Sequence, residues 1–211
     1  STKLINGTQD DIEAFAESVA RVVMKKKNVK KQKSFEMNEY NENLVNTDLD
    51  IKTLTSRIKA SGKLNFSLCL YGEPGTGKSL YARYLANKLG IEVVLKRASD
   101  LISKYLWLKD NRVFTYVGET EQNIANAFAE AKNKGAMLIF DEADSFLQNR
   151  QNANRSWEIA QVNEMLTWME SHEYPFVCTT NLLATLDEAS LRRFTFKIKF
   201  DFLTPEQVNY G

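Results

Sequence analysis

With 211 residues, 43% of them apolar and 26% charged, the chain has the make-up of one globular domain with appendages. Lys plus Arg nearly cancel Asp plus Glu, and a net charge of +1 selects no partner, so charge has to be read locally. No run of 18 or more apolar residues and no secretory pattern is present, and Cys69 and Cys178 lie in apolar runs without metal spacing, so buried reduced thiols in a cytoplasmic chain without a membrane segment are expected.

In chain order, residues 1–43 read as a helical N-terminal extension with a basic and polar linker. Thr8-Gln9-Asp10-Asp11 is a helix start with an acidic first turn, and Ile12, Phe15, Val19, Val22 and Val23 follow at helical spacing. Residues 25–33 hold six lysines, read as a solvated helix end or linker in preference to a nucleic-acid patch. Residues 34–50 are polar and Asn-rich, which predicts an irregular linker. A second helix is expected over 51–61, closed by Gly62.

From residue 66 short apolar runs alternate with helical patterns. Strands are predicted at 67–71, 92–96, 137–140, 176–180 and 194–200, with helices at 78–89, 120–134, 155–171 and 187–193. Strand–helix–strand alternation predicts a doubly wound α/β fold with its ligand at the carboxyl ends of the strands. Thr204-Pro205-Glu206-Gln207 is a strong helix start with four residues after it, which predicts that a further domain lies elsewhere.

Gly72-Glu73-Pro74-Gly75-Thr76-Gly77-Lys78-Ser79 matches G-x-x-x-x-G-K-[ST] in full, between an apolar run and the helical pattern that Leu80 enters. Glycines let backbone N–H groups turn toward phosphate oxygens, Lys78 brings a point charge to the β and γ phosphates, and Ser79 offers a hydroxyl to Mg²⁺. Met137-Leu138-Ile139-Phe140 ends in Asp141-Glu142. If this strand lies beside the one feeding the loop, Asp141 can order the Mg²⁺ shell and Glu142 can polarise the attacking water.

Asp141-Glu142-Ala143-Asp144 also spells the motif of DEAD-box RNA helicases. Those carry a Ser-Ala-Thr strand next, whereas the strand here ends Thr179-Thr180-Asn181, and there is no room for their second half. The residues resemble the AAA (AAA+) family of ATPases instead, over residues 44–207. GEPGTGKS resembles its Walker A, LIFDEAD its Walker B, and CTTN the strand ending in the sensor 1 residue, here Asn181. LDEASLRRF resembles the arginine-finger segment, with Arg192 and Arg193 both candidates. The resemblance implies a P-loop NTPase three-layer sandwich with a parallel five-stranded sheet between helices, lacking the C-terminal helical lid. It also implies ATP and Mg²⁺ as cofactors and a homo-oligomeric, usually hexameric ring acting on a polypeptide, with nucleic acid less favoured. Tyr116-Val117-Gly118 resembles the substrate-gripping pore loop, separated from its usual upstream sequence by an insert at 106–115. A slow, nucleotide-gated scaffold and a nucleic-acid motor are the alternatives to a remodelling ATPase. His172 is expected at the surface, and Trp157 and Trp168 in a core or a subunit interface.

Overall fold

The computed structural model describes residues 40–102, 106–109, 112–115, 118–147, 156–182 and 186–208, all within the unit Glu39–Gly211. The expected first helix, the basic run and the pore-loop residues Tyr116 and Val117 lie outside the described residues. The elements are β1 (Asn46–Thr47), α1 (Ile51–Ser61), β2 (Ser67–Gly72), α2 (Lys78–Leu89), β3 (Val93–Arg97), α3 (Ala98–Leu101), β4 (Leu106–Lys109), β5 (Arg112–Thr115), α4 (Glu119–Lys134), β6 (Met137–Asp141), α5 (Asp144–Leu147), α6 (Ser156–Ser171), β7 (Phe176–Thr180), α7 (Glu188–Arg193), β8 (Phe196–Asp201) and α8 (Pro205–Val208).

The main sheet runs β1-β8-β2-β7-β6-β3. Its five longer strands are all parallel, as expected, and β1 adds a short antiparallel edge by pairing Asn46 with Asp201 and Thr47 with Phe200. Residues 34–50 read as a linker because two residues are too few to show a period. Here their last part closes the β8 edge, where Asp48 Oδ1 accepts the Lys199 amide at 2.8 Å. The insert folds in part as an antiparallel hairpin, β4 with β5.

β2, β6 and β7 are buried along nearly their whole length, whereas β8, near the edge, alternates buried Ile198 and Phe200 with exposed Lys197 and Lys199. That contrast is the expected one between strands covered on both faces and a strand covered on one. Successive side chains along β2 and β6 feed opposite cores. Leu68, Leu70, Met137 and Ile139 pack with α1 and α2, and Cys69, Leu138 and Phe140 pack with α4 and α6. The result is the three-layer sandwich. Phe128 of α4 organises the second core, with its ring 5.4 Å from Phe140, 5.9 Å from Trp168 and 6.0 Å from Phe176.

Helix ends follow their local chemistry. Asp50 caps α1 by accepting from the amides of Lys52 and Thr53, and Gly62 ends it in the left-handed region. Asp187 caps α7 in the same way. His172 corrects the surface expectation. It is 8% exposed, its ring meets Phe128 edge-on at 5.0 Å, and Nε2 has no partner among the described residues. Burial lowers its pKa from 6.5 to about 4, with Lys132 adding to the shift and Glu173 opposing it. Its position at the end of α6 suggested solvent, but the end of α6 is itself packed on Phe128 and Phe176.

Candidate nucleotide site

The loop after β2 is held open by backbone that only glycine adopts without strain. Gly72 has φ 133°, and a Cβ there would lie 1.9 Å from the Phe200 carbonyl oxygen of the neighbouring strand. Gly77, φ 94°, then turns the chain into α2, whose first amides face the loop. Thr76 Oγ1 donates to the Glu73 carbonyl at 2.8 Å and braces the turn. Lys78 is 7% exposed, and its Nζ donates to the carbonyls of Gly72 and Glu73 at 2.7 Å each. Burial lowers the pKa of its ammonium, while Asp141, Asp144 and Glu73 oppose the shift.

A cleft of about 280 Å³ opens at the carboxyl ends of the strands. One side carries Pro74, Gly75, Gly77, Lys78, Ser79 and Leu80, and the other carries Asp141, Glu142, Thr179, Thr180 and Asn181. A groove of about 450 Å³ between α1 and the start of β8 is larger, but its lining is mainly apolar, and the cation, hydroxyl and carboxylates converge in the smaller cleft.

The sequence allowed the acidic strand to lie beside the loop strand, but the sheet order does not have it there: β7 stands between β2 and β6. The reach from loop to carboxylate is made by side chains instead. Ser79 Oγ donates to Asp141 Oδ1 at 2.5 Å, and Thr179 Oγ1 donates to the same oxygen at 2.6 Å. The Glu142 amide donates to Thr179 Oγ1 at 3.1 Å, and the Ala143 amide donates to the Thr179 carbonyl at 2.9 Å. Thr180 Oγ1 donates to Asp144 Oδ1, which also accepts the Asn181 amide at 3.3 Å. Glu142 is the one non-glycine with positive φ among the described residues, at 59°. Such a residue costs on the order of 1–3 kcal/mol and persists where its surroundings hold it.

Thr179, Thr180 and Asp144 are the residues that sequence reasoning left aside. Their signal was two hydroxyls closing an otherwise apolar strand, directly before the polar Asn181. The two arginines stand apart from this cleft. Arg192 has a side chain 79% exposed and, among the described residues, pairs with its helix neighbour Glu188 at 3.2 Å. Arg193 is turned inward, donating to the Ala189 carbonyl at 2.7 Å and to Glu170.

Among the described residues no cluster of three His, Cys, Asp or Glu could hold a metal by itself. The donor set at the cleft, a hydroxyl and a carboxylate 2.5 Å apart beside a phosphate-type loop, fits an ion that takes one or two protein oxygens and completes its shell with phosphate oxygens and water.

Comparison with known proteins gives the same assignment. Residues 68–202 match the family described as ATPase family associated with various cellular activities (AAA). The chain is 31% identical over 219 residues to an uncharacterized protein of Acidianus two-tailed virus, covering 93% of this chain and 39% of that protein. It is 35% identical over 132 residues to the peroxisomal ATPase pex6 of Schizosaccharomyces pombe, covering 58% of this chain and 13% of that one. An uncharacterized AAA family ATPase of Sinorhizobium fredii is 31% identical over 152 residues, covering 71% and 42%. The chain therefore spans less than half the length of these relatives. No helix among the described residues is long and apolar enough to cross a membrane. A phosphate-type loop, an acidic strand end and a polar strand end meeting in one cleft, within a matched stretch that covers most of the α/β unit, make this a nucleotide-binding chain of the AAA family of ATPases.

Proposed function

We propose that the chain binds ATP with Mg²⁺ in this cleft and hydrolyses it as one subunit of a homo-oligomeric, hexameric ring. The observation that carries the reading is the convergence of Lys78, Ser79, Asp141, Glu142 and Asn181 in one cleft. Residues 72–80 cradle the phosphates. Ser79 and Asp141 hold the ion, which when bound neutralises charge on the phosphate oxygens. Glu142 orients and polarises water, and Asn181 keeps that water in line. Arg192 supplies a finger to the neighbouring subunit's nucleotide; its exposure supports this choice over Arg193, which is held by Ala189 and Glu170.

Residues 44–207 form the catalytic large domain and residues 1–43 an extension to it. The whole protein uses the cycle to remodel, unfold or thread a macromolecule, with a polypeptide favoured. Two free, buried thiols support a reducing compartment, the cytoplasm.

Glu142→Gln tests the reading in the full-length, assembled protein. ATP binding should persist within about threefold while phosphate release falls at least about 100-fold. Negligible release by the wild type would instead support a nucleotide-gated scaffold. Stimulation by nucleic acid rather than by unfolded polypeptide would support a nucleic-acid motor.

A further inference from the structure

One hydroxyl at the end of β7 touches both acidic residues of the cleft. Thr179 Oγ1 donates its single proton to Asp141 Oδ1 at 2.6 Å and receives the Glu142 amide at 3.1 Å. An ionised carboxylate only accepts and an amide N–H only donates, so the bonds run in one direction, from the Glu142 amide through the hydroxyl to Asp141. The same residue's carbonyl takes the next amide, that of Ala143, at 2.9 Å. Thr179 thus holds two consecutive peptide groups of the turn after β6, one with its side chain and one with its backbone.

That turn is where Glu142 sits at φ 59°, exposed to the cleft. A left-handed non-glycine residue needs outside contacts to stay there, and the hydrogen bond that the Glu142 amide donates to Thr179 Oγ1 is one of them. The placement of β7 between β2 and β6 gives this residue its reach. Thr179 is 2% exposed, so water cannot readily replace its hydroxyl. It also shares Asp141 Oδ1 with Ser79, which fixes the carboxylate from two sides at once.

We infer that Thr179 is a positioning residue for hydrolysis: it sets the rotamer of Asp141 and the left-handed turn that presents Glu142 to the attacking water. This deepens the ATPase reading and rests on it. Nothing in the inference needs Thr179 to touch nucleotide, so ATP affinity should be nearly indifferent to it. A hydroxyl in this place is required; a branched side chain of the same volume is insufficient.

The test compares Thr179→Val, which keeps shape and loses the hydroxyl, with Thr179→Ser, which keeps the hydroxyl. Both are made in the full-length, assembled protein, with ATP binding, phosphate release and amide hydrogen exchange across residues 140–144 measured for each. Thr179→Val should lower the turnover rate tenfold or more with ATP affinity within threefold. Its Glu142 amide, whose acceptor is the lost hydroxyl, should exchange faster, with the Ala143 amide, held by the retained carbonyl, as the internal comparison. Thr179→Ser should return turnover to within threefold of the wild type and restore amide protection. Thr179→Ala provides the same comparison if the valine variant does not fold. Turnover within twofold of the wild type in the hydroxyl-free variant overturns the inference, as does a serine variant as slow as the valine one. Amide exchange separates the two levels of failure. If the wild type shows no hydrolysis, the ATPase reading falls, and unchanged exchange in Thr179→Val then overturns the positioning role as well.

Discussion

Gly72 shows how little freedom some single positions have. It sits where the phosphate-type loop leaves β2, and its α-carbon faces the backbone of β8. An alanine methyl would meet the Phe200 carbonyl oxygen at 1.9 Å, and neither partner is a flexible side-chain tip. Gly72→Ala should therefore separate β2 from β8 locally and cost about 3 kcal/mol from strain and overpacking. A fall in the urea midpoint and weakened ATP binding would be seen together; an unchanged midpoint would sink the account. Gly75 differs, since no atom lies within 4 Å of a Cβ placed there and its constraint is φ 82° alone. The glycines of one motif are thus required for different reasons, which a pattern match does not distinguish.

At the scale of elements, α6 illustrates a helix held by aromatic packing at its C-terminal end. Trp168 stacks on Phe128, and its indole N–H donates to Glu164 at 2.7 Å, while His172 one turn later closes against the same Phe128 ring. Burial keeps His172 neutral, with Lys132 reinforcing that and Glu173 opposing it. The sign of the pH effect follows from the lowered value. The unfolded imidazole takes its proton near pH 6.5 and the folded one near pH 4, so between these values the unfolded chain binds more protons. The contribution is complete above about pH 6.5 and is lost as pH falls toward 4, amounting to about 3 kcal/mol at most. The wild-type urea midpoint should accordingly drop between pH 7 and pH 5, and the drop should shrink in His172→Phe, whose ring suits the surrounding aromatics. Equal pH dependence in the two proteins would show that other groups govern this window.

At the scale of the whole molecule, the two adjacent arginines face different worlds. Arg193 is tied into its own chain: its guanidinium reaches Ala189 and Glu170, and its Nε is buried. Arg192 is left at the surface with a helix-neighbour ion pair, of the kind that contributes a few tenths of a kcal/mol. Arg192→Ala should leave stability and ATP affinity nearly unchanged yet lower turnover in the assembled protein by about 10³-fold, the scale of a finger acting on the transferred phosphoryl group. Arg193→Ala should instead lower the thermal midpoint. Full turnover by Arg192→Ala in the assembled state would rule Arg192 out.

The phosphate-type loop, the acidic strand end and the alternation of strands and helices were legible in the chain itself, because each is local. A loop that wraps phosphate needs fixed spacing of glycine and lysine, and strands buried on both faces need unbroken apolar runs. The boundaries of α1, α2 and β7 could be read to the residue because Asp50, Gly62, Gly90 and the apolar block 176–178 punctuate them. Three things required the folded molecule. Strand order is set by long-range pairing, and it put β7, not β6, beside the loop strand. The burial of His172 depends on where Phe128 and Phe176 arrive from distant parts of the chain. The role of Thr179 depends on the strand order: a threonine at a strand end is unremarkable in sequence, and only the insertion of its strand between loop and carboxylates brings one hydroxyl within hydrogen-bond reach of Asp141 and Glu142 together.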